Sequence, residues 1–132
     1  MDQAVIAYYR GLLKNGFKYA GEIEEPSVFL DPAVEGVNRI CSGPVDYMNI
    51  YIKISEKIVE EMRYLCVCEP TANVAVEAMC KLAKGKTLEE IASIGEEELL
   101  DEIGGSGDEL REKVNALLEL VRNGLIQYES NI

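Results

Sequence analysis

The sequence of 132 residues contains no histidine. Ser-His-Asp triads, Cys-His catalytic pairs and histidine-ligated metal sites all need an imidazole, so each of these is excluded. A histidine switch that changes charge near neutral pH is excluded for the same reason. The sequence offers no other set of base, nucleophile and orienting group, and we therefore expect a protein that is not an enzyme.

Basic residues are also scarce, with 13 lysines and arginines against 24 acidic residues and a formal charge of −11. Such an acidic chain is repelled by phosphate backbones and by anionic lipid, so we expect neither nucleic acid nor a membrane surface as partner. No apolar run approaches the roughly 20 residues that span a bilayer. The start, MDQ, lacks the basic region of a signal peptide, and a cytoplasmic location is expected.

Length and periodicity predict a single domain over residues 1–132. A chain of this size buries one core without disulfide staples. Apolar residues recur at helical spacing over residues 3–14, with Asp2 as N-cap, and predict a helix within residues 1–16. The mixed segment 17–32 has no clear period and predicts an extended connection.

Alternating apolar residues predict an antiparallel sheet within residues 34–68. A short strand is expected over residues 34–40. Strict alternation over residues 47–54 predicts a half-buried strand, and residues 58–68 return as its hairpin partner. We therefore predict the α+β class, with a small antiparallel three-stranded sheet packed by helices in a sandwich.

Residues 71–125 predict a series of helices. Thr71 is expected to cap the first of them, and Thr87 with Glu90 forms a capping box for the second. Gly124 is expected to end the last helix and to leave a frayed tail behind it.

The four cysteines carry the chemistry that this sequence offers. Iron–sulfur and zinc sites use about four ligands that converge from loops or strand ends. Cys41 precedes a turn at the start of a strand, and Cys68 lies where a strand gives way to a helix. Both are therefore candidate ligands at one end of the sheet, as thiolates rather than as a disulfide. Cys80 lies within a helix and is expected to pack.

Two more candidate ligands have two interpretations each. Asp46 is either an oxygen ligand or base beside a bound metal, or a residue that stabilises the turn. Cys66 shares a strand face with Cys68 and is either a third thiolate ligand or a core residue. A zinc site needs only thiolates and a carboxylate, so zinc remains an alternative to iron.

Two further segments, MNIYIKI at residues 48–54 and KGKTLEE at residues 84–90, carry a family resemblance. They resemble the NifU/IscU iron–sulfur cluster assembly scaffolds, and the likeness extends in order over residues 5–125. The resemblance implies a NifU/IscU N-terminal-domain-like sandwich and a transient cluster of the [2Fe–2S] type, built on three cysteines with the help of an aspartate. It also implies a cysteine desulfurase and recipient apo-proteins as partners.

The chain departs from the family pattern at all three cysteine positions. The first family ligand lies in Cys-Gly-Asp, whereas this chain has CSGPVD at residues 41–46, so Cys41 fits only in a lengthened loop. The second family position falls on Glu69, with Cys68 one residue early. The third falls near residues 112–113, where there is no cysteine.

The sequence therefore leaves two functions open. The leading hypothesis is a divergent scaffold or carrier in which Cys41 and Cys68 hold metal or sulfur and Asp46 tunes the lability of the cluster. Cys66 then replaces the missing third thiolate, or a homodimer shares the cluster. The rival hypothesis is a protein that kept the fold but lost cluster assembly, and that binds zinc or acts as an interaction or regulatory subunit.

Overall fold

A three-stranded antiparallel sheet packed against helices forms the protein, as a computed structural model describes it over residues 2–37, 40–41 and 43–132. The strands are β1 (Val28–Leu30), β2 (Tyr47–Ser55) and β3 (Ile58–Val67), in the spatial order β1-β2-β3. The helices are α1 (Gln3–Asn15), α2 (Pro32–Glu35), α3 (Pro70–Ala83), α4 (Leu88–Ala92), α5 (Glu96–Ile103) and α6 (Asp108–Ser130). Within the described ranges, none of the helices combines the length and the apolar character that crossing a bilayer requires.

The hairpin of β2 and β3 is the centre of the sheet and confirms the predicted pairing. Successive residues of β2 alternate between a buried side, which carries its aliphatic residues, and a more exposed side, as the sequence pattern predicts. Glu56 and Lys57 form the connecting turn with φ of 52° and 63°, the left-handed conformation that two-residue hairpin turns adopt. Because Tyr47 pairs with Val67, the start of β2 and the end of β3 lie side by side.

The third strand differs from the prediction. β1 lies within segment 17–32, which was expected to be irregular, and it pairs with β2 through Val28 and Ile52. The strand expected over residues 34–40 is wrong, because residues 34–35 belong to helix α2 and residues 36, 37 and 40 are not in a strand; residues 38–39 lie outside the described ranges. Asp31 caps that helix by accepting a hydrogen bond from the Ala33 N–H at 3.0 Å.

Helices α3 and α6 pack against each other on the buried side of the sheet and form the core with it. The expectation that Gly124 ends the last helix, with a frayed tail, is wrong, because α6 continues to Ser130. Gly124 instead faces β1: a Cβ atom there would lie 2.6 Å from a methyl carbon of the buried Leu30. The glycine allows the helix and the strand to approach closely.

Of the predicted caps, those of Asp2 and of Thr87 with Glu90 are confirmed. The cap expected at Thr71 is wrong, because α3 begins at Pro70 after the N-cap residue Glu69 and Thr71 lies within the helix. The Thr87 hydroxyl accepts a hydrogen bond from the Glu90 N–H at 3.0 Å, and the Glu90 carboxylate accepts one from the Thr87 N–H at 2.9 Å. Asp2 accepts a hydrogen bond from the Ala4 N–H at the start of α1 and another from the Gly107 N–H, 3.0 Å away. Asp2 therefore ties the first helix to the start of the last one.

Candidate functional site

The candidate ligands gather at the end of the sheet where β2 begins and β3 ends. Met48 pairs with Cys66 near this end, and Cys68 follows one residue beyond the last pair. Cys41 and Asp46 line a cavity of about 270 Å³ that the start of β2 also borders. We call the group formed by Cys41, Asp46, Cys66 and Cys68 the cysteine corner. The structure confirms that Cys41 and Cys68 lie at the same end of the sheet.

Asp46 stabilises the loop that carries Cys41. Its carboxylate accepts a hydrogen bond from the Gly43 N–H at 3.1 Å, and its own N–H donates to the Gly43 carbonyl at 3.2 Å. A Cβ atom at Gly43 would lie 2.6 Å from the carboxylate, so a larger residue there would displace the Asp46 side chain from this position. The structure shows the turn-stabilising role of Asp46, and its role as an oxygen ligand stays a prediction.

Cys41 is a half-buried free thiol. Burial raises the pKa of Cys41 to about 11, and the carboxylates of Glu69 and Asp46 act in the same direction, while the Lys113 ammonium opposes them. The thiol therefore keeps its proton at neutral pH. It becomes a nucleophile as the pH rises towards this pKa, and a ligand when a metal cation displaces the proton.

Cys66 and Cys68 differ from the prediction, because the structure joins them in a disulfide. Cys68 was expected to be a thiolate ligand and Cys66 either a third thiolate or a core residue, and in this oxidised form neither is available to a metal. Cys80 is buried in α3 with no exposed surface, which confirms the expectation that it packs. Among the side chains that the structure describes, no group of three or more Cys, Asp or Glu residues could hold a metal ion.

A buried ion pair, which the sequence pattern did not predict, borders the cysteine corner. The Lys113 ammonium in α6 lies 2.8 Å from a carboxylate oxygen of Glu69, the residue that precedes α3. The Lys113 side chain is only 6% exposed and that of Glu69 is 24% exposed. A signal was present, since Lys113 lies at helical spacing between Leu110 and Leu117 on the apolar stripe of α6.

Comparison with known proteins identifies the family. The family described as NifU-like N terminal domain matches residues 16–132. The chain belongs to this family. Two relatives, the iron-sulfur cluster assembly scaffold proteins IscU 1 and IscU 2 of Archaeoglobus fulgidus, are each 25% identical to it over 91 residues. The match covers 69% of this NifU-like domain and 58% of each relative, so the chain spans little more than half of their length.

Solved structures confirm the fold of this NifU-like domain. The crystal structure of a nitrogen-fixing NifU-like protein (N-terminal) from Brucella abortus matches with a TM-score of 0.65 at 13% identity, over 98% of this chain and 94% of that chain. The crystal structure of a hypothetical protein matches with a TM-score of 0.57, also at 13% identity, over 91% and 98% of the two chains. The predicted α+β class with a three-stranded antiparallel sheet is therefore confirmed.

The ion pair occupies positions that the family resemblance assigns to ligands. The sequence comparison placed the second family cysteine on Glu69 and the third near residues 112–113. The structure brings Glu69 and Lys113 of this NifU-like domain into direct contact. A charge pair thus stands where the resemblance implies two thiolates, and the cysteine sulfur atoms at the cysteine corner are those of Cys41 and of the Cys66–Cys68 disulfide.

The raised pKa of Cys41 gives a prediction for its reactivity. The rate of alkylation by iodoacetamide should still rise about tenfold per pH unit between about pH 8 and about pH 10, because the thiolate fraction keeps growing below a pKa of about 11. The measurement uses the oxidised Cys80→Ala variant, in which Cys41 is the remaining free thiol. Free cysteine, with a pKa of about 8.5, is the control and should level off within this range. A plateau at the same pH for the protein would contradict the prediction.

Proposed function

We propose that this NifU-like domain acts in iron–sulfur cluster assembly as a scaffold or carrier and not as an enzyme. It holds iron and sulfide as cargo through cysteine thiolates and passes the cluster to recipient proteins. The observation that carries the proposal is the sheet register, which brings the loop of Cys41 and Asp46 beside the segment of Cys66 and Cys68. The names of the relatives from Archaeoglobus fulgidus, both iron-sulfur cluster assembly scaffold proteins, support it.

The chemistry of the cysteine corner suits such cargo once the disulfide is reduced. Iron–sulfur clusters are held by about four ligands, mostly thiolates. Cys41, Cys66 and Cys68 supply three soft sulfur ligands, and the carboxylate of Asp46 supplies a fourth, harder ligand that binds iron–sulfide less firmly. A weak ligand favours release, which a carrier needs. The cluster is of the [2Fe–2S] type in this proposal, and a cysteine desulfurase supplies the sulfur.

A second candidate function has its own supporting observation. The buried ammonium of Lys113 lies beside the corner and repels cations, and its pairing with Glu69 engages a carboxylate that would otherwise attract them. These features suit a protein that kept the fold but lost cluster assembly. Such a protein would bind a partner as an interaction or regulatory subunit, or would hold zinc.

The two functions are separated by metal and sulfide analysis of protein that is purified without oxygen and with a dithiol reductant. For the scaffold, we expect near-stoichiometric iron and sulfide after reconstitution, with the absorption of an iron–sulfur cluster. The Cys41→Ser variant should lose both. Cys80→Ala is the matched control, because Cys80 is buried in α3 away from solvent and should leave the loading unchanged.

Other outcomes of the same analysis decide against the scaffold. Protein that stays free of iron and sulfide after reconstitution supports the interaction subunit, above all if a cysteine-free variant binds the same partner equally well. Stoichiometric zinc without sulfide supports a zinc site. Size measurement of the loaded protein shows whether a homodimer shares the cargo.

A further inference from the structure

The Cys66–Cys68 disulfide lies at an accessible place in the fold. Cys66 is the second-last residue of β3, and Cys68 lies in the short link between β3 and α3. Both are only partly buried, and Val67 between them is 50% exposed. The bond therefore lies in a partly exposed segment, whereas the Cys80 thiol is enclosed in the core.

The same disulfide contributes little to the stability of the fold. A disulfide stabilises a fold chiefly by restricting the unfolded chain, and this effect is smallest for short loops. Here the bridge closes a loop across one intervening residue. The strand that carries it is already fixed by its pairing with β2 and by buried residues such as Met62 and Tyr64. The position of the bond thus points to chemistry rather than to stability.

We propose that Cys66 and Cys68 form a reversible thiol–disulfide redox centre that a dithiol reduces. A thiolate of the reductant attacks one of the two sulfur atoms and breaks the bond between them, which gives a mixed disulfide and one cysteine thiolate. The second thiol of the reductant then attacks its own sulfur atom in the mixed disulfide and releases the other cysteine. Two electrons pass to the protein, the reductant ends as a cyclic disulfide, and its two protons end on Cys66 and Cys68.

The redox state of this centre sets how many thiols the cysteine corner contains. The oxidised corner offers Cys41 alone, and the reduced corner offers Cys41, Cys66 and Cys68. This consequence extends the proposed function and rests on it: oxidation would withdraw two of the three sulfur ligands and release or refuse the cargo. The redox centre itself does not depend on any cargo.

The test is a count of free thiols across a series of ratios of reduced to oxidised dithiothreitol. The full-length protein is equilibrated without oxygen, quenched with acid, unfolded and alkylated, and the added mass is measured. We expect a single transition from two free thiols to four. The Cys66→Ser and Cys68→Ser variants should each have three free thiols at every ratio of reduced to oxidised dithiothreitol. Far-UV circular dichroism of the reduced protein should match that of the oxidised protein, because the fold does not need the bond.

Four free thiols at every ratio would overturn the redox centre, and so would peptide mapping that finds Cys41 bonded to Cys66 or Cys68. Iron and sulfide loading of the reduced protein is measured separately. If the thiol count changes as expected but the reduced protein takes up no iron, the proposed function fails while the redox centre stands. Loading in the reduced form that is lost on oxidation supports both.

Discussion

The Glu69→Leu variant should lose about 3–5 kcal/mol of its free energy of unfolding, because the substitution leaves a buried ammonium without its counter-charge. Lys113 is 6% exposed and lies 2.8 Å from the Glu69 carboxylate. Lys113→Met should cost a comparable amount, because both carboxylate oxygens of Glu69 are buried and lose the ammonium that pairs with them. Denaturation by urea at neutral pH measures both values.

The double variant Glu69→Leu/Lys113→Met is the control for this prediction. It removes both charges and replaces them by apolar side chains, so its stability should return to within about 1 kcal/mol of the parent. If the free energy of unfolding of each single variant lies within about 1 kcal/mol of the parent value, the prediction is wrong. The ion pair is then solvated and contributes as little to stability as an exposed ion pair.

The charges of Glu69 and Lys113 should also change the reactivity of the Cys41 thiol. Glu69 raises the pKa of the Cys41 thiol and Lys113 lowers it. Glu69→Gln should therefore make Cys41 react faster with iodoacetamide at a fixed pH, and Lys113→Gln should make it react more slowly. A change in stability alone would not move the two rates in opposite directions, so this result places the pair beside the thiol.

The elements that the sequence predicted well are those with local signals. The alternation along β2 and the capping box of Thr87 and Glu90 each arise within a few residues, and both are confirmed. β1 is only three residues long, too short for alternation to be recognised, and its pairing with β2 comes from tertiary contact. Gly124 resembled a helix stop because the sequence does not show that Leu30 packs against it.

The features of the candidate site also divide into those that the sequence predicts and those that it does not. A hairpin brings the start of one strand to the end of the next, so the common location of Cys41, Cys66 and Cys68 followed from the sequence. The contact between Glu69 and Lys113 joins residues that are far apart in the chain, and it depends on how α6 packs against α3. The sequence also could not show that two neighbouring cysteines are oxidised.

The Tyr64→Phe variant should lose about 1.5–3 kcal/mol at neutral pH, the range for a hydrogen bond to a charged group. The Tyr64 hydroxyl lies 2.9 Å from a carboxylate oxygen of Glu77 and 2.9 Å from the side-chain oxygen of Asn73. The hydroxyl has one proton, and the charged carboxylate is the stronger acceptor. Glu77 is 3% exposed, so water cannot replace the lost donor.

The loss in Tyr64→Phe should also depend on pH. Burial raises the pKa of Glu77 above its ordinary value of 4.5, while the hydrogen bond from Tyr64 lowers it. Because the folded state binds this proton more tightly than the unfolded state, the unfavourable contribution of Glu77 is complete at pH values above the raised pKa. It disappears as the pH falls through the raised pKa. Without the tyrosine hydroxyl that pKa rises further, so the difference between parent and variant should shrink on acidification.

The Glu77→Gln background supplies the matched control, because its amide oxygen still accepts a hydrogen bond but carries no charge. In that background Tyr64→Phe should cost about 0.5–1.5 kcal/mol, the range for a neutral hydrogen bond, and the cost should not change with pH. Urea denaturation between about pH 5 and about pH 8 compares the four proteins. An equal loss at all pH values in both backgrounds would mean that the hydroxyl stabilises the core through Asn73, and that Glu77 is not its main acceptor.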